Sequence, residues 1–218
     1  MPMNAEALLR DAERATGLTD WGGEEYFDRE FRELLAALVY SLENEAALSA
    51  QGYRGAELRL RVALEARLQF IRDRTQNPAL KQIPIERPMF IFGLPRSGST
   101  FLQALLAQDP AVHAPLTWEM VMPSPPPVPA DRANDPRIAR VDEMYEAMGL
   151  YTPQILALHP FGARQPEECH LMMEIMLLGD SLPGSWKVPT FNKKRNEIGV
   201  GLGYRAHRMV LQNLHSTW

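Results

Sequence analysis

Phe90-Ile91-Phe92-Gly93-Leu94-Pro95-Arg96-Ser97-Gly98-Ser99-Thr100-Phe101-Leu102 is the stretch whose reading decides the fold. It starts as an apolar run, turns through a loop bounded by glycines, and continues with helical spacing. Strand, tight loop and helix N-terminus together hold phosphate groups. Amides of the first helical turn point at the anion, and the helix dipole places about half a positive charge there. The stretch fits the phosphate-loop pattern G-x-x-x-x-G-K-[ST] at Gly93, Gly98 and Thr100, but Ser99 stands where the lysine belongs.

Upstream, helical periodicity predicts helices over 5–16, closed by Gly17, over about 24–46, and over 56–73 with Leu60, Leu64, Leu68 and Ile71 as its stripe. The third helix carries Arg59, Arg61, Arg67, Arg72 and Arg74 among Glu57 and Glu65, which reads as a solvated surface rather than a nucleic-acid face. Ile83 to Pro88 is an extended connector, since proline restricts both itself and the residue before it. Met89 to Phe92 is then a short unalternating apolar run, as suits a parallel strand buried on both faces.

Downstream, a helix stripe runs from Phe101 to about Asp109, and Ala111–Ala114 reads as a brief second strand. A proline-rich loop, Pro123 to Pro129, reads as stiff surface, with a partner-binding polyproline helix as the alternative. Helices are expected from Pro136 to Met148, from Pro166 to Gly179 and from about Tyr204 onward. The resulting organisation is a helical region, 1–80, followed by a phosphate-loop domain, 81–218. A single buried strand cannot satisfy its own backbone groups. Either helices replace the rest of the sheet, or the chain ends before it arrives; the second is the expectation.

Composition narrows the function. The 218 residues are 45% hydrophobic and 23% charged, ordinary values for a globular chain. A net charge of −4 supplies no electrostatic footprint for nucleic acid. No apolar run approaches the roughly 20 residues of a membrane span, and the N-terminus lacks a secretory pattern, so a cytoplasmic location is the default expectation. One cysteine, Cys169, forms no internal disulfide and reads as core. His170 and Glu174 are four apart but lack a third ligand, so no metal is expected.

In the loop itself the charge sits on Arg96, whose guanidinium can hold a phosphate with two prongs. With the hydroxyls of Ser97, Ser99 and Thr100 it suits one compact dianion better than a metal-bound triphosphate. Gly93-Leu94-Pro95-Arg96-Ser97-Gly98-Ser99-Thr100 strongly resembles the 5′-phosphosulfate loop of sulfotransferases that use 3′-phosphoadenosine 5′-phosphosulfate (PAPS). Asp109-Pro110, Pro115-Leu116-Thr117-Trp118-Glu119, Pro166-Glu167-Glu168, Trp186-Lys187-Val188-Pro189 and Tyr204-Arg205-Ala206-His207-Arg208 are similar to the bacterial branch of that family.

The resemblance implies an α/β fold, a P-loop-type parallel sheet with a helical N-terminal region, the sheet incomplete in this chain. It implies that Pro95, Arg96, Ser97, Gly98, Ser99 and Thr100 bind PAPS. It implies Glu119 as general base toward a small-molecule hydroxyl or amine acceptor, without a metal. No residue matches the family's 3′-phosphate motif, so the chain is expected to be the N-terminal portion of such an enzyme. A P-loop kinase or nucleotide-binding module with an atypical loop is the alternative. A helical interaction protein whose glycine loop is only a turn is the third reading. Glu167 and Glu168 read as acids at a helix start, and His159 and Arg164 as loop residues that could line an acceptor pocket.

Overall fold

Ten α-helices and four short 3-10 segments make up the described part of the chain, residues 2–94 and 96–217 of a computed structural model. In order, the helices are α1 (Ala5–Thr16), α2 (Asp28–Asn44), α3 (Ala50–Gln76), α4 (Ser99–Leu106), α5 (Thr117–Val121), α6 (Arg137–Ala147), α7 (Pro153–Leu156), α8 (Ser181–Ser185), α9 (Pro189–Ile198) and α10 (Gly201–His215).

The start of α1 is capped by Asn4, whose side chain accepts from the Ala7 amide, and its end by left-handed Gly17. Leu8, Leu9 and Ala12 turn its apolar face inward. The long helix expected over 24–46 is split instead. A 3-10 turn, Gly23–Tyr26, ends at Phe27, whose left-handed φ of 57° redirects the chain before α2 begins. The third predicted helix exists and is longer than its stripe suggested, because Ser49 caps it from the Gly52 amide.

α3 is the axis of the structure. Leu60, Leu64, Leu68 and Ile71 join the larger core with Leu34, Leu35 and Leu38 of α2 and Val210 and Leu214 of α10. Val62 and Ala66, on the other side, enter a second cluster with Trp118, Ile138, Val141 and Met144. A helix buried on both sides has no single apolar stripe, which is why periodicity under-read it. Each fully buried leucine contributes about 1.5–3 kcal/mol. The larger core draws on residues both before and after residue 80.

The arginines of α3 correct the expectation of a solvated face. Arg59, Arg67 and Arg74, eight and seven apart, fall on the inner side and are buried. Arg67 donates to the carbonyls of Ile175 (3.1 Å) and Tyr26 (2.6 Å) and lies over the Phe31 ring. Burial lowers its pKa to about 9, against the attraction of Asp28. Arg74 reaches the Met209 carbonyl (3.0 Å), Asn213 (2.9 Å) and Gln212 (3.0 Å), tying α10 to α3. Arg59 pairs with buried Glu174 and donates to Ser181 at 2.7 Å. A guanidinium's five donors can collect free carbonyls where helices meet at their ends, and hydropathy does not encode that.

The parallel sheet is the larger correction. Among the described residues no strand forms; the one sheet-like pairing is an antiparallel bridge between Leu116 and Pro166. Met89 to Leu94 lacks regular secondary structure and lies largely at the surface, where a buried strand was expected. Ala111–Ala114, the second expected strand, is turn and irregular chain. A strand needs a neighbour for its amides and carbonyls, and among the described residues the segments that follow form helices, turns and irregular chain.

The helix expected from Pro166 is a 3-10 segment, Cys169–Met176, ended by left-handed Leu177. Cys169, read as core, is exposed. α9 was not anticipated, although Pro189 at its first position is an ordinary helix-start signal.

Candidate functional site

Two glycines shape the loop after Phe92. A Cβ on Gly93 would meet Oγ of Ser97 at 2.4 Å, so any larger residue here would require the Ser97 hydroxyl to turn away. Gly98 sits at φ 88° and forms the N-cap of α4. Arg96 also takes a left-handed φ, 66°, which costs a non-glycine residue energy and is characteristic of binding loops. The Ser97 amide closes the turn onto the Leu94 carbonyl at 3.1 Å, and the Leu102 amide makes the first helical bond to Gly98 at 3.0 Å.

The N-terminus of α4 therefore opens into solvent. No side chain caps it and its first turn carries no acid, so its dipole and its leading amides are available to an anion. Arg96, Ser97 and Gly98 are exposed beside it, and Ser99 and Thr100 half-buried. Pro95, expected in the same group, lies outside the described residues. The other five expected cofactor residues are contiguous around one helix start.

A second set of residues meets this loop from 60 positions away. Arg96 donates through Nη1 to the Leu158 carbonyl at 3.2 Å, and Gln103 of α4 donates to the Glu167 carbonyl at 2.9 Å. Between these anchors, Nε2 of His159 and Oε2 of Glu167 are 2.7 Å apart. The hydrogen bond that His159 donates to Glu167 raises the His159 pKa above its ordinary value, outweighing burial and the nearby Arg96 charge. Oε1 of Glu167 accepts from the Glu168 amide at 2.8 Å, which locks the carboxylate in place. Glu168 is exposed, with His170 3.6 Å from its carboxylate.

Glu119, the expected base, occupies different surroundings. It lies in α5 with no solvent exposure. Its carboxylate accepts from Nε (2.7 Å) and Nη2 (2.8 Å) of Arg132 and from the Leu116 amide (2.7 Å), with His113 at 3.8 Å. Burial alone would push this carboxyl up, but the bonds from His113, Arg132 and Leu116 prevail and hold it below the usual carboxylate range. Arg132 also donates to the Ala114 carbonyl at 2.7 Å, so the pair pins the 113–132 excursion against α5. Arg164, the other candidate lining residue, is exposed and donates to the Ala133 carbonyl at 3.3 Å.

Gln103 was not picked out from sequence, and His159, read there as a loop residue that could line an acceptor pocket, was not linked to Glu167, read as an acid at a helix start. The only signal was composition: a histidine and two acids eight and nine residues apart, with no spacing rule to link them to a loop so distant.

Comparison with known proteins finds similarity to sulfotransferases. A model described as "Sulfotransferase family" matches residues 88–193, a span that begins just before the loop and includes the residues that meet it. A solved sulfotransferase, STF1 from Mycobacterium tuberculosis H37Rv, is 28% identical with a TM-score of 0.76, covering 97% of this chain and 57% of its own. Sulfotransferase STF9 from Mycobacterium avium shares the fold at 24% identity and a TM-score of 0.74, covering 98% of this chain and 54% of its own. The chain thus spans little more than half the length of either. No curated protein matches it.

Proposed function

We propose that this chain, a member of the sulfotransferase family, binds the 5′-phosphosulfate of PAPS at the loop 93–100 for transfer of the sulfuryl group to an acceptor hydroxyl or amine. The observation that carries the reading is the uncapped, acid-free start of α4 with Arg96 beside it and no lysine at position 99. Such a site is built for one compact dianion. A triphosphate would require a longer cation at position 99 to reach its outer phosphates.

In the reaction, the acceptor oxygen attacks sulfur, a new O–S bond forms, and the bond from sulfur to the 5′-phosphate oxygen breaks. Adenosine 3′,5′-bisphosphate leaves, and the acceptor proton passes to a base. Arg96 and the α4 amides would stabilise charge gathering on the departing phosphate, the work that dominates transfers of this kind. Among the described residues no group of three or more histidine, cysteine or acidic side chains could hold a metal ion, and the proposed chemistry calls for none.

For the base, we assign the task to the His159–Glu167 pair rather than to Glu119. A carboxylate held low by Arg132 is a weak proton acceptor, whereas the hydrogen bond to Glu167 raises the His159 pKa and makes it the stronger base of the two. Glu119 then serves to hold the polypeptide around the site. Among the described residues no helix is long and apolar enough to cross a membrane.

Calorimetric titration with adenosine 3′,5′-bisphosphate and, separately, with Mg-ATP tests the reading. Saturable binding of the bisphosphate is expected, weakened about 10- to 100-fold in Arg96→Met by the loss of a charge-assisted bond. Because Arg96 is exposed and, among the described residues, its side chain is bonded to the Leu158 carbonyl alone, its replacement should leave the melting temperature unchanged. Saturable ATP binding without bisphosphate binding refutes the proposal.

A further inference from the structure

Among the described residues, two side chains of the loop and its helix reach the segment that carries His159 and Glu167. Arg96 bonds to the Leu158 carbonyl and Gln103 to the Glu167 carbonyl. The two anchors differ in kind. Arg96 is exposed and charged, and its guanidinium is the group an anion recruits. Gln103 is neutral and half-buried, and it sits one turn, about 6 Å, beyond the first residue of α4. Its bond to Glu167, 2.9 Å long, therefore does not compete with an anion at the helix start.

That bond acts on one particular peptide group. The Glu167 carbonyl that accepts from Gln103 and the Glu168 amide that donates to Oε1 of Glu167 are opposite ends of the same 167–168 peptide unit. The unit is trans and planar, so fixing the direction of its carbonyl fixes the amide that points the other way. The second carboxylate oxygen, Oε2, meets Nε2 of His159 at 2.7 Å. A continuous chain of hydrogen bonds thus runs from the Gln103 amide through the peptide and the carboxylate to the imidazole, each bond polarising the next. Glu167 is only 7% exposed, so water has little access to replace a lost link. The other groups against His159 are the Glu168 and Arg96 charges and the Phe161 ring, 4.4 Å between centroids. None of those fixes the direction of the Glu167 carboxylate.

We infer that Gln103 is a positioning residue: through the 167–168 peptide it holds the Glu167 carboxylate on His159 and sets that pair at a fixed place relative to the start of α4. Its importance for sulfate transfer rests on the assignment of the pair as base; its hold on the pair does not. Without Gln103 the 167–168 peptide is free to rotate, the Glu168 amide leaves the carboxylate, and His159 loses its oriented partner.

An NMR titration of His159 in the 218-residue chain, native and with Gln103→Met, Gln108→Met or Glu167→Gln, tests this. Glu167→Gln removes the charge, and its midpoint, below the native one, marks where His159 titrates without the pair. Methionine at 103 keeps the length of the side chain but removes its donor, and should move the midpoint most of the way to that value. Gln108, two residues past the end of α4, bonds locally to the Ala104 carbonyl, and Gln108→Met should leave the midpoint in place. A Gln103→Met curve that overlays the native one overturns the inference, even if the melting temperature falls, because a purely structural glutamine would give that result. An equal shift in Gln108→Met overturns it too. A measurement on the unaltered chain needs no variant to fold. The side-chain amide protons of Gln103 should exchange about tenfold or more slowly than those of exposed Gln154, and equal rates overturn the inference. No readout here uses a nucleotide. Failure to bind adenosine 3′,5′-bisphosphate therefore refutes the anion-binding proposal alone, and failure here refutes the role of Gln103 alone.

Discussion

Replacing Glu119 by glutamine separates a structural carboxylate from a catalytic one. In the native protein the fully buried carboxylate takes two bonds from Arg132 and one from the Leu116 amide, all between 2.7 and 2.8 Å. Glutamine keeps one acceptor oxygen but turns an NH2 group toward donors on Arg132 or Leu116. Removing one partner of a buried ion pair costs about 3–5 kcal/mol. Arg132 retains 23% of its side-chain exposure, so water can replace part of what it loses. The expected cost is therefore about 2–4 kcal/mol, the lower part of that range extended by this relief. Urea unfolding followed by circular dichroism reads it directly. With a slope of about 2–3 kcal/mol per molar, the midpoint should fall by about 1 M.

The pH dependence supplies the sign. The Glu119 pKa is lower folded than its ordinary 4.5. The pair's contribution is thus fully present above about that pH and disappears as pH falls through the lower folded value. Glu119→Gln should lack this acid-side loss. A variant within 0.5 kcal/mol of the native protein, with the same acid limb, would refute the holding role. Collapse of sulfate transfer in that unperturbed variant would return the base to Glu119.

Two more perturbations probe the frame around the site. Arg67→Ala should destabilise by about 3 kcal/mol or more, since it strands the carbonyls of Ile175 and Tyr26 in the core. Arg67→Met should cost less because it refills the volume, and equal losses in urea unfolding would contradict that account. In an NMR titration His159 should turn over above 6.5 and His207, buried without a charged partner, below it. The stability that His159 contributes is full below about pH 6.5 and declines as pH rises through its folded value, so His159→Gln should flatten stability on that side.

Local signals carried much of the chain. Asn4 and Gly17 bound α1 as capping chemistry requires, Pro136 precedes α6, and Gly93 and Gly98 sit where a tight loop into a helix needs them. The tight loop into α4 was legible because every part of it lies within eight consecutive residues.

What the sequence could not decide depends on which distant segments meet. Glu119, which the resemblance implied as a base, meets Arg132, thirteen residues on, because α5 turns that side chain inward. Arg59, Arg67 and Arg74 looked like surface until the 169–176 segment and α10 met α3 over them, while Arg61 is exposed as expected. His159 and Glu167 became a pair, and neighbours of Arg96, only when the chain after α7 folded back onto α4. The strand at Met89–Phe92 shows the converse: an apolar segment has the composition of a strand on its own, but is a strand only when another backbone lies beside it. Propensity and capping act within a few residues and can be read along the chain. Charge pairing, burial and strand formation need partners, and only the tertiary structure supplies or withholds them.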